Sequence, residues 1–170
     1  GGFYTQSEFD VRPLLTAHRH LRFLELGRSC VLKAFRTKPV VELLWQGIWD
    51  YVRAHRLDVM FGCASLEGTD PQEHALALTY LSQVMAPPEW YVRALPELRV
   101  EMRLLEPEKV DQRRALRSLP PLIKGYLRLG CFIGDGAVVD GQFNTIDVLV
   151  ILPVTAINSR YFAHFGEPTG

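Results

Sequence analysis

The sequence predicts an α/β (mixed α+β) fold, a central mixed sheet flanked by helices. The first reason is a strand–helix–strand run between Leu21 and Ser65, and the second is a later pair of apolar strands, 131–139 and 145–152, joined by a polar turn. The third is composition: with 48% hydrophobic and 22% charged residues among 170, the chain is neither disordered, collagen-like nor coiled-coil. A domain of that length buries roughly 70% of its unfolded surface and needs no metal or disulfide staple.

Leu21 to Leu32 reads as a strand, with Leu21, Phe23, Glu25 and Gly27 on one face and Arg22, Leu24, Leu26 and Arg28 on the other. A charge on each face of a largely buried strand is costly unless it is paired or used. The loop Leu32–Lys38 and Pro39 then open a helix to about His55, with Val41, Leu44, Ile48, Tyr51 and His55 along one stripe. Asp58–Ser65 is a short apolar strand. A strand–helix–strand unit of this kind is a right-handed crossover, so the two strands should be parallel. Asp70-Pro71-Gln72-Glu73 predicts a helix start running to Met85, stopped by Ala86-Pro87-Pro88. Leu98–Leu105 alternates like an exposed strand, Glu108–Arg117 like a short polar helix, and Pro120-Pro121 opens a helix to Gly130. Cys131–Ile133 and Ala137–Val139 form a strand interrupted by Gly134-Asp135-Gly136, and Thr145–Leu152 returns antiparallel through Asp140–Asn144.

Lys+Arg and Asp+Glu are both 19, so there is no bulk attraction to nucleic acid. Charge is nevertheless segregated: residues 1–38 carry +4, 39–88 carry −4, 89–128 carry +3 and 129–170 carry −3. Basic surface and acidic pocket can therefore coexist, although solvated helix faces give the same pattern. Cys30, Cys63 and Cys131 form no CxxC, which argues against a disulfide framework or zinc site and suits a cytoplasmic chain. The run Val148–Leu152 is far below the roughly 20 residues of a membrane span. The five histidines lack metal-ligand spacing, so no metal is expected.

The informative segment is Glu25-Leu26-Gly27-Arg28-Ser29-Cys30-Val31, followed by a basic loop and a helix. A carboxylate on an interior strand beside such a loop can deprotonate an amine, because burial raises its pKa toward the working range. Amides at the strand end can hold a thioester oxygen or a phosphate-bearing arm. A structural Glu25–Arg28 ion pair fits the same spacing.

That segment resembles the fourth-strand motif of GNAT acyltransferases that use acyl carrier protein, and is similar to the Glu-x-x-Arg of acyl-homoserine-lactone synthases. Together with Phe61–Ser65, Asp70-Pro71, His74-Ala75, Leu119–Gly130, and Ile133–Gly136 through Asp140, Phe143–Thr145 and Asp147, it resembles the bacterial ornithine–acyl carrier protein N-acyltransferases. The resemblance implies a single GNAT-like domain over 1–170, incomplete at its N-terminus because the family's first strands are missing. It implies transfer of a 3-hydroxyacyl group from acyl carrier protein to the α-amine of L-ornithine, the first step of ornithine lipid synthesis. Glu25 would be the general base and Arg28 its orienter or a carboxylate anchor. No cofactor would be bound permanently. The donor's phosphopantetheine arm would meet Val31 and Leu32 main chain, with Lys33, Arg36 and Lys38 for its phosphate and for the carrier's acidic surface. Ser65, Asp135, Asp140, Asn144 and Asp147 would serve ornithine, with acidic groups for its side-chain ammonium. Phe61, Leu122 and Tyr126 are acyl-channel candidates, with core packing as the default, and peripheral contact with the inner membrane is an added expectation. Two alternatives remain: another GNAT-type enzyme with a different amine, such as an acyl-homoserine-lactone-like synthase, or a non-catalytic piece that binds acyl carrier protein.

Overall fold

The computed structural model describes residues 2–27, 31–35 and 38–157. Strand β1 (Phe23–Glu25) runs parallel to β2 (Val59–Glu67), and helix α2 (Lys38–His55) lies between them in sequence. β2 pairs antiparallel over its whole length with β5 (Thr145–Pro153), which pairs with β4 (Phe132–Asp140), and β4 holds the two-residue β3 (Arg99–Val100). The order across the mixed sheet is β1-β2-β5-β4-β3. The parallel pair, the helix between its strands and the antiparallel hairpin are as the sequence pattern predicts.

Alternation along the central strands divides the core in two. Met60, Ala64 and Leu66 of β2 and Ile146, Val148, Val150 and Leu152 of β5 pack with Trp49 and Val52 of α2. The same cluster takes in Leu78 and Leu81 of α3 (Ala75–Leu81), and Ile123 and Tyr126 of α5 (Pro121–Leu129). The other face sets Val59, Phe61, Leu149 and Ile151 against Phe9, Val11 and Leu14. Leu14 lies in α1 (Arg12–Ala17), a short helix that the periodicity does not signal.

Four sequence expectations shift. The first strand is three residues long, not twelve: Leu26 N–H still donates to Phe61 O at 2.7 Å, and among the described residues the pairing ends there. Gly62 is needed at that point, because a Cβ on it would collide with the Leu26 carbonyl. Farther on, Lys33–Phe35 is a 3-10 turn. Next, the third helix begins at Ala75. Asp70 Oδ1 accepts from Gln72 N–H at 2.9 Å, closing a local turn across Pro71–His74 instead of capping a helix. Third, of the alternating stretch 98–105 only Arg99–Val100 pairs. Glu101 Oε1 accepts the N–H groups of Met102 and Arg103, removing them from any ladder. Last, the polar helix, α4 (Gln112–Ser118), starts later than expected, capped by Asp111 on Arg113 and Arg114 N–H.

The interrupted strand is a bulge. Pairing of β4 with β5 shifts register between Ile133 and Ala137, and Asp135 exchanges main-chain bonds with Val92 and Ala94 instead.

Candidate functional site

Glu25 is the last paired residue of β1, opposite Phe61 and on the face away from α2. Its carboxylate lies at the start of a single 3-10 turn, Tyr4–Ser7. Oε2 accepts from Tyr4 N–H at 2.9 Å, and Oε1 accepts from Thr5 N–H and Thr5 Oγ1–H, both at 2.6 Å. The turn's unsatisfied amides explain why an acid stands there. A carboxylate has about four lone-pair directions, so three donors leave one for an amine or a water. The charge just before the strand, Arg22, is also used: its guanidinium donates to His55 O at the end of α2, at 3.0 Å.

Beyond Glu25 the same sheet face stays polar. Cys63, two residues past Phe61, donates its thiol proton to Glu8 Oε2 at 3.2 Å, and Thr5 Oγ1 lies 3.9 Å from its sulfur. Thr5 thus touches both Glu25 and Cys63. Glu8 is 7% exposed and Asp147 6% exposed, and Asp147 Oδ1 has no hydrogen-bond partner among the described residues. Ligand atoms of Glu8, Cys63 and Asp147 lie within 4.8 Å of one another. Burial pushes the Glu8 carboxyl up, the Cys63 hydrogen bond partly opposes this, and the charges of Asp147 and Asp140 add to it. Burial, with the Glu8 charge behind it, also pushes the Cys63 thiol up. Cys63 is therefore a proton donor here and not a thiolate nucleophile.

Asp147 faces Ser65 across β2–β5, and Ser65 and Glu67 are exposed, so the polar strip opens toward solvent at that end. Asp140 is on the adjoining strand and turns the hairpin, accepting from Gln142 and Phe143 N–H, while Asn144 adopts a left-handed φ of 55° in the same turn. Asp135 lies apart on the bulge. Burial disfavours its ionised form, but hydrogen bonds from Arg99 at 2.8 Å and Tyr91 at 2.6 Å win and hold its carboxyl below the usual range. The structure therefore brings Glu25, Ser65 and Asp147 onto one face, with Asp140 at its rim and Asp135 elsewhere. Arg28 and Arg36 lie outside the described residues, as do the side chains of Lys33 and Lys38. Val31 is half-buried and Leu32 is 75% exposed.

Where β1 and β2 part, a narrow apolar crevice runs between Leu26, Phe61, Gly62 and Tyr126, with no room for a water molecule. Leu122 is on the exposed side of α5.

Glu8 and Thr5 have no local sequence signal. The one available clue was Asp147, a carboxylate inside the aliphatic run Ile146–Leu152 at an inward position.

Residues 1–46 match the acetyltransferase (GNAT) domain model. Over 171 aligned residues the chain is 54% identical to the L-ornithine N(alpha)-acyltransferase of Rhizobium meliloti, covering 100% of the chain and 58% of that protein. It is 55% identical to the protein of that name from Agrobacterium fabrum, covering 97% of the chain and 57% of the relative. For the Brucella abortus protein of that name, the figures are 52%, 97% and 59%. The chain thus spans less than two thirds of the length of the curated relatives it matches. No solved structure matches significantly.

Proposed function

Starting from this homology to the L-ornithine N(alpha)-acyltransferases across the whole chain, we propose that the native polypeptide containing it acylates the α-amine of L-ornithine. The donor in this reading is a 3-hydroxyacyl group on acyl carrier protein, and the product is lyso-ornithine lipid. The observation that carries the reading is the 52–55% identity to three proteins of that name along essentially every residue of the chain. Two features of the fold support it: an acid at the last register pair of two parallel strands, and a carboxylate-rich strip on the same sheet face.

The chemistry is aminolysis of a thioester. An α-ammonium cannot attack until it loses a proton, and in this reading the open lone pair of Glu25 accepts it, directly or through a water. The nitrogen then bonds to the thioester carbon, whose oxygen is held by main-chain amides near Val31 and Leu32. Collapse breaks the carbon–sulfur bond; the nitrogen gives its second proton to the departing thiolate, which leaves as the pantetheine thiol, and Glu25 returns the first proton to solvent. Lys33, Arg36 and Lys38, in and beside the loop that follows β1, would meet the arm's phosphate and the acidic carrier. Leu32 and Phe35 are exposed in that same loop and suit an apolar contact with the carrier or with a lipid surface. No helix among the described residues is long and apolar enough to cross a membrane.

The test is to supply the complete native polypeptide with L-ornithine and 3-hydroxyacyl carrier protein and follow N-acylornithine by mass spectrometry. Product with ornithine is the expected result; acylation of a different amine, with ornithine untouched, overturns the reading.

A further inference from the structure

The Glu8–Cys63–Asp147 cluster has more negative charge than its surroundings neutralise. Two carboxylates, each more than nine-tenths buried, stand within 4.8 Å with one thiol between them, and no Lys or Arg of the described residues forms an ion pair with either. Burying carboxylates without a counter-charge is among the costliest arrangements in a protein. Among the described residues Asp147 Oδ1 lacks even a hydrogen-bond donor, and Thr145 Oγ1, two residues along β5 and on the same face, is likewise buried without a partner. Oxygen acceptors that no described residue satisfies, on a face open at Ser65, describe a receptor for a cation with several N–H donors.

We propose that Glu8 and Asp147 form the binding site for the distal ammonium of a diamino acid acceptor, and so select ornithine over amino acids with uncharged side chains. This rests on the acyltransferase reading above and deepens it. The placement fits the substrate's shape. Glu25 and the cluster lie on one sheet face, linked through Thr5, with Cys63 one same-face step beyond the residue opposite Glu25. That step is about 6.5–7 Å on a strand, and a diamino acid with three methylenes separates its two nitrogens by a comparable span. The α-amine can therefore reach Glu25 while the distal ammonium, with its three donors, meets Glu8 and Asp147. Cys63 keeps a neutral hydrogen bond to Glu8 and adds no competing charge.

The experiment measures binding of L-ornithine and L-norvaline, which lacks only the distal amine, to the complete native polypeptide by calorimetry, without any acyl donor. Wild type should prefer ornithine by tenfold or more, and Glu8→Gln and Asp147→Asn should each bring that ratio toward one. Both substitutions are near-isosteric; thermal unfolding identifies the folded variants, and either one suffices for the comparison. Glu25→Gln should keep the ornithine preference while losing turnover. Folded variants that retain the wild-type preference overturn the site. So does stoichiometric binding of Zn²⁺ or Mn²⁺ alone that is lost in Glu8→Gln, since the cluster would then be a metal centre. A wild type that discriminates ornithine from norvaline yet never acylates it defeats the acyltransferase reading and leaves the ammonium site standing.

Discussion

Strands β2 and β5 contribute to both faces of the sheet, and the two faces could hardly differ more. Toward α2, α3 and α5 the inward residues are Met60, Ala64, Leu66, Ile146, Val148, Val150 and Leu152, with no polar atom to satisfy. Toward the N-terminal segment, Phe61, Leu149 and Ile151 are interleaved with Cys63, Ser65 and Asp147, and Glu8, Thr5 and Glu25 stand over them. The first face only has to exclude water. The second accepts the cost of buried carboxylates, which is reasonable where a charged ligand supplies the missing counter-charge. Adjacent residues of one strand are thus held by opposite physics.

The two faces should differ most at neighbouring positions of β5. Val148→Asp puts an unpaired charge on the apolar face and should cost about 5 kcal/mol or prevent folding. Asp147→Asn removes a buried charge that has no ion-pair partner among the described residues, so stability should rise, by about 1–2 kcal/mol. Urea unfolding of both variants checks this, and equal destabilisation would mean that the two faces are not distinct.

Glu25→Gln probes the polar face as chemistry. If Glu25 is the base, the acyl-transfer step in the complete enzyme should slow by roughly 10²–10⁴-fold, with the deficit shrinking as pH rises and free amine accumulates. The amide cannot accept all three bonds from Tyr4 and Thr5, so a stability loss of about 1 kcal/mol is expected as well. Single-turnover rates beside thermal melts separate the two; near-normal turnover in a folded variant would leave Glu25 only as the cap of its turn.

Glu8 sharpens the same contrast through pH. Its carboxyl is raised by burial, with Asp147 and Asp140 adding to the effect, so the folded state holds this proton more tightly than the unfolded chain does. Stability from this group is therefore greatest below the ordinary carboxyl pKa of 4.5, falls as pH climbs through the raised folded value, and then levels off. Glu8→Gln cannot ionise, so its stability relative to wild type should improve across that window, by about 1.4 kcal/mol for each pH unit of displacement. Parallel denaturant titrations from pH 4 to 8 measure it, and a flat difference would count against Glu8 being the strained acid. The smallest effect is expected on the outer surface. Charge reversal of Lys33, Arg36 and Lys38 should raise the apparent carrier-protein requirement by about 3–10-fold and weaken its salt dependence; unchanged kinetics would make these side chains solvated surface.

Sequence determined the frame wherever the signal is local. The short apolar runs of β2 and β5, the helical stripe of α2 and the polar turn before Thr145 were enough for a mixed sheet with one parallel pair. Motif resemblance singled out Glu25 and Asp147. Tertiary structure alone decided the rest, because contact between distant segments has no local periodicity. It ended β1 at Glu25, where the Leu26 carbonyl crosses Gly62. It detached Asp135 from the ornithine candidates by giving it to Arg99 and Tyr91. It also carried Thr5 and Glu8, 20 and 55 residues away along the chain from Glu25 and Cys63 respectively, onto the polar face. A carboxylate with no motif around it reads as ordinary solvated charge until folding removes the water around it, and only then does its need for a partner become visible.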